Sequence, residues 1–415
     1  MPLRDAYASD GEDCGWGWKR QRGGAEPRCH LGSERKNDGM ELKHGFISVD
    51  DHVQEHPEVW TQRLSKAKWG DRIPHIERQA DGTELWVVDG QKVDLPGVAI
   101  AGAAMADRAR EPQRWDEVPK VAYVPAARLT AMDVDGVDYS VLYPSVAGLA
   151  GETFGRLTDP ELELACVQAY NDWLIEEWAS TSPRFIPQCI VPLFPVEATV
   201  NEIKRAVAKG HRGVILPSVP MMLRDVPHIN EPVYDPIWAT CQDLDIPVCF
   251  HAGATKAIQF PPYAGFSQEL TAAMEAITRP VSSVLVVANF LYSRILFRFP
   301  TLKVVFAETS LAWGAYELEL ADHQFERQRL HTEGYDMMPS ELFRRQCYLT
   351  GWFDSTGLKT RHFIGLNNLL WSTNFPQGTS TWPNSREVIA RCFEGIPDNE
   401  RRQILVDNAA KLYKL

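Results

Sequence analysis

The chain has 415 residues, of which 44% are hydrophobic and 24% are charged, and these values are typical of a globular protein with a large core. Its formal net charge of −12 argues against a nucleic-acid surface, which needs clustered Lys and Arg. We find no apolar run that predicts a membrane span, so we expect a soluble protein without a membrane or nucleic-acid partner. The eight Cys are scattered without CxxC pairs, which favours reduced thiols in a cytoplasmic protein.

Residues 1–43 differ from the rest of the chain in composition. They are polar and Gly-rich, and they show no sustained periodicity. They also lack the apolar core of a signal peptide. We therefore expect a disordered N-terminal tail, with Met40 as the more natural start of translation, and one folded domain over residues 44–415.

After Met40, short apolar runs alternate with longer helical patterns. GFISVDD (45–51) predicts the first strand, and TELWVVDGQKVDL (83–95) predicts a hairpin around an Asp-Gly turn. Residues 96–130 have weak periodicity, which predicts an irregular surface segment that covers a site. Further strands are predicted at 139–145, 185–193, 213–218, 247–253, 303–310, 347–352 and 369–376. Helices are predicted at 159–181, 196–209, 234–244, 280–297, 311–327 and 385–395.

The predicted strands are apolar at consecutive positions, as expected for a parallel sheet that is covered on both faces. Strand–helix alternation, repeated roughly eight times over about 330 residues, predicts an α/β fold of the (β/α)8 barrel type with a small inserted hairpin. A doubly wound open sheet is the alternative. The only glycine-containing candidate for a phosphate loop, GETFG (151–155), fits neither GxGxxG nor a Walker motif, so nucleotide binding is not predicted.

Polar side chains stand at the predicted carboxyl ends of four strands. In a barrel of this kind the active site lies at these ends. The residues concerned are Asp50, Asp51, His52, His251, Glu308 and Asn374. Because Asp50 and His52 are two residues apart, their side chains face the same side of an extended strand.

These strand-end residues are suited to binding a metal ion. Two imidazoles with carboxylates suit zinc, iron or manganese. Each residue also has a structural interpretation: an Asp-x-His triplet arises by chance, His251 could be a hydrogen bonder within the fold, and Glu308 could cap the next helix. Burying all of them together would be costly unless they shared a cation. The sequence therefore predicts a divalent metal site with the ligands Asp50, His52, His251, Glu308 and Asn374.

Several ordered segments resemble one known family. ISVDDHVQEHPEVW, YDPIWATCQDLDIPVCFHAG and FPTLKVVFAETSLAWGAYELELAD are similar to segments of the amidohydrolase-related family, within the metal-dependent amidohydrolase superfamily. The likeness covers about residues 44–413. This branch includes aminocarboxymuconate-semialdehyde decarboxylase and γ-resorcylate decarboxylase.

The resemblance implies a distorted (β/α)8 barrel with a divalent metal at the strand ends. It aligns the first-strand metal motif, which is H-x-H or has an acid in place of the first His, with Asp50 and His52. It aligns the metal-binding His of the fifth strand with His251. A sixth-strand position that is often His in the decarboxylases falls at Glu308.

The last strand departs from the family pattern. The Asp of the family motif SDYPH falls at Asn374, and Gln377 replaces the His. In the family this aspartate contacts the metal and moves a proton, whereas Asn374 offers only a neutral oxygen and cannot accept one. Proton transfer must therefore fall to another group, with Glu308 as the first candidate and Asp51 as the second.

Three functions remain open from the sequence. The leading hypothesis is hydrolysis of an amide, ester, lactone or thioester by a metal-bound water, whose pKa a cation lowers from about 15.7 toward about 7. The alternative is non-oxidative decarboxylation of an aromatic or unsaturated acid, which needs a proton donor near the metal and is weakened by the loss of the usual His and Asp. The third is a barrel that binds a small molecule without catalysis.

Aromatic residues indicate the character of the substrate. Trp313 and Trp382 follow Glu308 and Asn374 into their loops, so we predict that they contact a small, apolar or aromatic acid derivative. Since dimers are common in the family, the resemblance also implies a homodimer.

Overall fold

The structure is a computed structural model that describes residues 40–106, 110–252 and 265–415. Of the predicted tail, only residues 40–43 belong to the described part, so the prediction of disorder over 1–43 lies almost wholly outside the described residues. Residues Glu41–Leu415 form one compact unit.

The described strands are short, and those of the barrel are almost entirely buried. They are β1 (Ile47–His52), β2 (His75–Arg78), β3 (Glu84–Val88), β4 (Gln91–Lys92), β5 (Tyr139–Tyr143), β6 (Phe185–Pro187), β7 (Cys189–Ile190), β8 (Val214–Ile215), β9 (Val248–His251), β10 (Val304–Ala307), β11 (Cys347–Gly351) and β12 (Leu369–Trp371).

Two parallel sheets make up the barrel. One has the order β1-β5-β6, and the other runs through β7 to β12 in chain order. Only Gln188 separates β6 from β7. The second joint between the two sheets lies between β1 and β12. There the backbone N–H of Asn374 donates to the carbonyl of Asp50 at 3.0 Å, and the N–H of His52 donates to the carbonyl of Phe375 at 2.7 Å. These bonds tie β1 to the segment after β12.

This sequential strand order confirms the distorted (β/α)8 fold. It also excludes the doubly wound alternative, in which the order reverses at a switch point. In the described residues the ladder is interrupted at the two joints, so the barrel is formed by two sheets and not by one closed ring.

A three-stranded antiparallel sheet, β2-β3-β4, is inserted after the first strand. The predicted hairpin corresponds to β3 and β4. The sequence analysis missed β2, since His75–Arg78 is polar and has no apolar alternation. The inserted sheet packs on the barrel side through Trp86, whose ring contacts Trp60 edge to face with centroids 5.7 Å apart.

Helices follow most strands. The α-helices are α1 (Glu58–Thr61), α2 (Lys66–Trp69), α3 (Lys120–Tyr123), α4 (Pro125–Asp135), α5 (Glu152–Gly155), α6 (Pro160–Trp173), α7 (Val196–Lys209), α8 (Asp235–Asp243), α9 (Gln268–Tyr292), α10 (Ile295–Arg298), α11 (Ala312–Arg327), α12 (Pro339–Gln346), α13 (Ser355–Lys359), α14 (Arg361–Ile364), α15 (Ser385–Cys392), α16 (Asp398–Arg402) and α17 (Asn408–Tyr413). Two π-helical segments, Leu174–Ala179 and Gln403–Asp407, extend α6 and precede α17. Short 3₁₀ turns lie at Gly70–Arg72, Gly102–Ala104, Trp115–Glu117, Pro220–Met222, Pro232–Tyr234, Leu330–Glu333 and Leu366–Asn368.

Helix α9 corrects one expectation from the sequence. Its stretch Ala273–Tyr292 is 20 residues long and 35% buried, and by length and composition it could cross a membrane. The prediction that no apolar run is a candidate membrane span therefore missed this helix. One such helix is weak evidence for a membrane segment, because core helices of soluble proteins meet the same criterion.

Candidate metal centre

Three residues at two strand ends converge on one point. Asp50 and His52 lie on the same side of β1, and His251 ends β9; all three are buried. Asp50 Oδ1 is 3.5 Å from Nε2 of His52 and 3.5 Å from Nε2 of His251. One ligand atom from each residue lies within 4.8 Å of the others. We call these three residues the triad.

The triad has the donor chemistry of a cation site. Both oxygens of Asp50 are buried, and neither accepts a hydrogen bond from the described residues. Burial acts to raise the pKa of Asp50, but the neighbouring His251 and His52 outweigh it and hold that pKa well below its usual range. A buried carboxylate without hydrogen bonds is costly unless a cation compensates it. One carboxylate and two imidazoles therefore fit a divalent metal ion.

A second contact fixes the orientation of His52. Its Nδ1 lies 3.1 Å from the carbonyl of Pro144. Since a carbonyl only accepts, Nδ1 carries a proton, and Nε2 is the ring nitrogen that faces the triad. Metal-binding histidines commonly donate their second ring nitrogen to such a partner.

Glu308 lies beside the triad but is not part of it. Its Oε2 is 3.6 Å from Nδ1 of His251. Its Oε1 accepts hydrogen bonds from Arg279 Nη1 at 2.9 Å and Asn374 Nδ2 at 3.1 Å. The structure thus brings Glu308 to the far nitrogen of His251, whereas the sequence predicted it as a metal ligand.

Asn374 is adjacent to Glu308. Its Nδ2 also donates to Thr379 Oγ1 at 2.9 Å, and its buried Oδ1 accepts no hydrogen bond from the described residues. Asn374 and Glu308 both have left-handed backbone conformations, with φ of 58° and 53°. Asn tolerates this region, whereas for other non-glycine residues it is uncommon and costs about 1 to 3 kcal/mol.

The side chain of Asp51, the second candidate for proton transfer, makes its hydrogen bonds away from the triad, which does not favour that role. Strand alternation turns its side chain away from the side of Asp50 and His52. Its carboxylate accepts hydrogen bonds from the hydroxyls of Ser48 (2.8 Å), Ser140 (2.6 Å) and Thr373 (2.6 Å). Burial raises the pKa of Asp51. Its role is structural.

The two predicted substrate residues are both half-buried and anchored. The indole N–H of Trp313 donates to the carbonyl of Thr309 at 2.6 Å. That of Trp382 donates to the carbonyl of Ala131 at 3.2 Å, and its ring packs on Phe375 with centroids 5.2 Å apart. Because Phe375 follows Asn374 in the chain, this ring contact brings Trp382 close to Asn374. The role of Trp382 toward a substrate stays a prediction.

The sequence analysis missed one residue of the site and left another without a role. Arg279, on α9, reaches Glu308 from the surface, with 32% of its side chain exposed against 2% for Glu308. A charged residue within an apolar helix was the one signal for it. Gln377 was noted only as a departure from the family, yet its Nε2 lies 2.8 Å from Nε2 of His52.

Comparison with known families explains the geometry. The family model described as amidohydrolase matches residues 98–415. The chain belongs to this amidohydrolase family. The resemblance seen in the sequence is thereby confirmed, and the metal site lies where this amidohydrolase fold positions strand-end residues. Comparison with curated protein sequences finds no match.

Solved structures show the same fold at low sequence identity. An amidohydrolase from Mycobacterium avium subsp. paratuberculosis K-10 has a TM-score of 0.69 and 19% identity, over 90% of this chain and 100% of that one. A dihydroxybenzoic acid decarboxylase from Polaromonas sp. JS666, with bound manganese and the inhibitor 2-nitroresorcinol, has a TM-score of 0.60 and 18% identity, over 90% and 97%.

A third neighbour is a 5-carboxyvanillate decarboxylase from Novosphingobium aromaticivorans, an aspartate-to-asparagine mutant with bound manganese and 3-methoxy-4-hydroxy-5-nitrobenzoic acid. Its TM-score is 0.61 and its identity 17%, over 90% of this chain and 100% of that one. At these identities the likeness shows the fold alone.

Proposed function

We propose that this amidohydrolase is a metal-dependent, non-oxidative decarboxylase of an aromatic or unsaturated acid. Family membership and the decarboxylase names of two neighbours support this reading. The observation that carries it is the ion pair of Arg279 with Glu308, which lies next to the triad. Hydrolysis, the leading hypothesis from the sequence, becomes the second candidate.

Asp50, His52 and His251 would hold the metal ion. Manganese is our first choice, because two structural neighbours contain it; zinc and iron suit the same donors. When bound, the cation supplies a Lewis acid that attracts an anionic oxygen and withdraws electron density from the acid.

Arg279 gives the site a cation that faces the surface. Its guanidinium donates to the buried Glu308 at 2.9 Å while a third of the side chain stays exposed. Guanidinium groups bind carboxylates through paired, charge-assisted hydrogen bonds. A substrate acid would be recognised by such a group, whereas a neutral amide or ester would not use its charge.

The charges of the site match an anionic substrate. A divalent cation and Arg279 bring three positive charges, against the two negative charges of Asp50 and Glu308 in the ionised form, so one positive charge remains. Asn374 contributes to this balance, because an aspartate at that position would cancel the excess. A monocarboxylate substrate would neutralise it, and a buried site favours such pairing.

Glu308 is the group that we assign to proton transfer. In the reaction the C–C bond to the carboxylate breaks, CO2 leaves, and the electron pair stays on the carbon, which then takes one proton. Arg279 and Asn374 fix Oε1 of Glu308, which leaves Oε2 to hold and deliver that proton. The exposed side of Arg279 offers a route for its replacement from solvent.

One observation favours hydrolysis as the second candidate. Arg279 pairs with Glu308, and Glu308 in turn raises the pKa of Arg279. In this pair Oε1 of Glu308 accepts from the guanidinium, and an accepting carboxylate is the kind of group that serves as a general base toward water.

Product analysis distinguishes the two candidates. The manganese-loaded protein would be incubated with hydroxybenzoic and unsaturated carboxylic acids, and with amides and esters of such acids, in D2O and in ¹⁸O-labelled water. Decarboxylation predicts one CO2 per product and one deuterium on the carbon that lost it, without ¹⁸O in the product. Incorporation of ¹⁸O into a product acid would instead establish hydrolysis.

A charge-removing variant tests the role of Arg279. Arg279→Gln keeps a hydrogen-bonding side chain, so we expect KM for an acid substrate to rise about 10- to 100-fold with metal content unchanged. The matched control is Arg298→Gln, since Arg298 pairs with Asp235 elsewhere on the surface. An unchanged KM in Arg279→Gln would remove the basis for an anionic substrate.

A further inference from the structure

Gln377 contacts the nitrogen of His52 that faces the metal site. The amide Nε2 of Gln377 lies 2.8 Å from Nε2 of His52. Gln377 is buried, and the turn after β12 holds its backbone, whose N–H donates to the carbonyl of Asn374 at 3.0 Å. This contact is at a triad ligand atom, whereas the side-chain amide of Asn374 binds Glu308 and Thr379.

The contact has a defined direction. Nδ1 of His52 donates to the carbonyl of Pro144, and an amide N–H can only donate, so Nε2 of His52 is the acceptor toward Gln377. The lone pair of this nitrogen accepts the N–H of Gln377. It can serve only one partner, so the amide N–H and a cation exclude each other at this atom.

The amide of glutamine has a second orientation that removes the conflict. A half-turn about its terminal bond exchanges the nitrogen and the oxygen with little change of shape, because this torsion is roughly two-fold. The turn would bring Oε1 to the position of Nε2, beside the triad. Amide oxygens are suitable ligands for manganese and similar hard cations.

We infer that Gln377 is a two-position residue that completes the metal centre. Without a cation, its N–H caps His52 and keeps this ring in the metal-binding tautomer. With a cation bound, its Oε1 supplies a fourth protein ligand to that cation, in addition to Asp50, His52 and His251. The inference rests on the metal centre of the proposed function but not on the reaction.

Binding of Mn²⁺ alone, followed through loss of the free-ion signal in electron paramagnetic resonance, tests this inference. Gln377→Leu keeps the size of the side chain without the oxygen, and we expect the affinity to fall about 10- to 100-fold. Gln377→Glu restores an oxygen at the same reach and should bind at least as tightly as the native protein. Gln377→Asn, which is one carbon shorter, should resemble the leucine variant.

The control is Gln324→Leu, the same substitution on the outer helix α11, which should bind Mn²⁺ as the native protein does. Thermal melting shows that each variant is folded. Native-like or tighter binding by Gln377→Leu would overturn the inference, because the amide would then only compete with the cation. If the native protein binds no Mn²⁺, Zn²⁺ or Fe²⁺, the metal centre itself is wrong, which separates the two failures.

Discussion

Two residues of the site have a left-handed backbone, which Asn374 tolerates and which is strained at Glu308. Glu308 and Asn374 have left-handed conformations and contact each other at 3.1 Å. Such strain persists where surrounding contacts determine the geometry, and it is concentrated at functional sites. Here the contacts of Asn374 with Thr379 and of Glu308 with Arg279 fix the geometry.

The triad histidines give the first prediction. His52→Ala and His251→Ala should each lose most bound metal, because each removes one of the two imidazole donors of the triad, while the protein stays folded. Metal content by mass spectrometry and the melting temperature check both parts. His75→Ala, a half-buried histidine of β2, is the control that should keep its metal. Full occupancy in both triad variants would refute the assignment.

Position 374 gives the second prediction. Aspartate tolerates the left-handed backbone as asparagine does, so Asn374→Asp should fold normally. A carboxylate facing the cation adds a charge-assisted bond, and we expect the affinity for Mn²⁺ to rise about tenfold or more. Calorimetric titration measures it. Unchanged affinity would show that Asn374 does not face the cation.

Glu308 gives the third prediction. Glu308→Gln keeps the shape and the contact with Asn374 but cannot carry the proton, so turnover should fall by about 10² to 10⁴. Metal content should stay at the native level, since Glu308 is outside the triad. Native turnover in this variant would remove Glu308 from the proton path.

Sequence reasoning found the triad because period-two alternation places Asp50 and His52 on one side and a strand end exposes His251. It could not find Arg279, because the rotation of a helix about its axis is not fixed by one charged residue in an apolar segment. Nor could it give Gln377 its contact with His52, since that depends on the path of a turn.

At the scale of elements, the joint between β1 and the last strand depends on Asp51. Its carboxylate accepts hydrogen bonds from Ser140 of β5 and from Thr373 and the backbone N–H of Phe375 after β12. The bonds from Thr373 and Phe375 cross the joint where the sheet ladder is interrupted. They add to the two backbone hydrogen bonds that join β1 to the segment after β12.

The fourth prediction concerns this joint. Asp51→Asn replaces an acceptor oxygen with an N–H donor among buried donors, so the free energy of unfolding should fall by about 2 to 4 kcal/mol. Urea denaturation measures it. Asp116→Asn, at an exposed side chain, should change it little. Equal stability of the two variants would contradict the structural role.

Element bounds followed the sequence where caps and periodicity agree. Helix α7 has its predicted bounds, 196–209. Helix α9 begins at Gln268, capped by Ser267, and not at Pro280, because proline inside a helix is tolerated when packing compensates for its lost hydrogen bond. The predicted strand 185–193 is divided at Gln188 into β6 and β7, at the polar residue that interrupts its apolar run.

At the scale of the whole molecule, Glu41–Leu415 contains every residue assigned to the site. The start of this unit is fastened to the barrel, since Asp138 accepts the backbone N–H groups of Lys43, His44 and Gly45. A cut before Met40 leaves these bonds in place.

The fifth prediction is that deletion of residues 1–39 leaves the melting temperature, metal content and turnover unchanged, because these residues are predicted to contribute no core. Calorimetry and steady-state assays on the shortened chain check it. A fall of several degrees in the melting temperature would show that the segment packs on the domain.

Family and barrel could be read from the sequence because long, ordered segments specify them together. The reaction could not, because hydrolysis and decarboxylation use the same strand-end ligands and differ in the position of a proton and in the charge of the substrate. Those features arise from side chains such as Arg279, which tertiary packing brings to the site.

The central claim is that Asp50, His52 and His251 share one cation. An anomalous-difference map at the manganese edge, from crystals grown with Mn²⁺, tests it most directly. The account predicts a single strong peak about 2.0 to 2.3 Å from a carboxylate oxygen of Asp50 and from Nε2 of both histidines. A folded barrel in which no peak lies among these side chains, or in which they stand too far apart to share an ion, would contradict it.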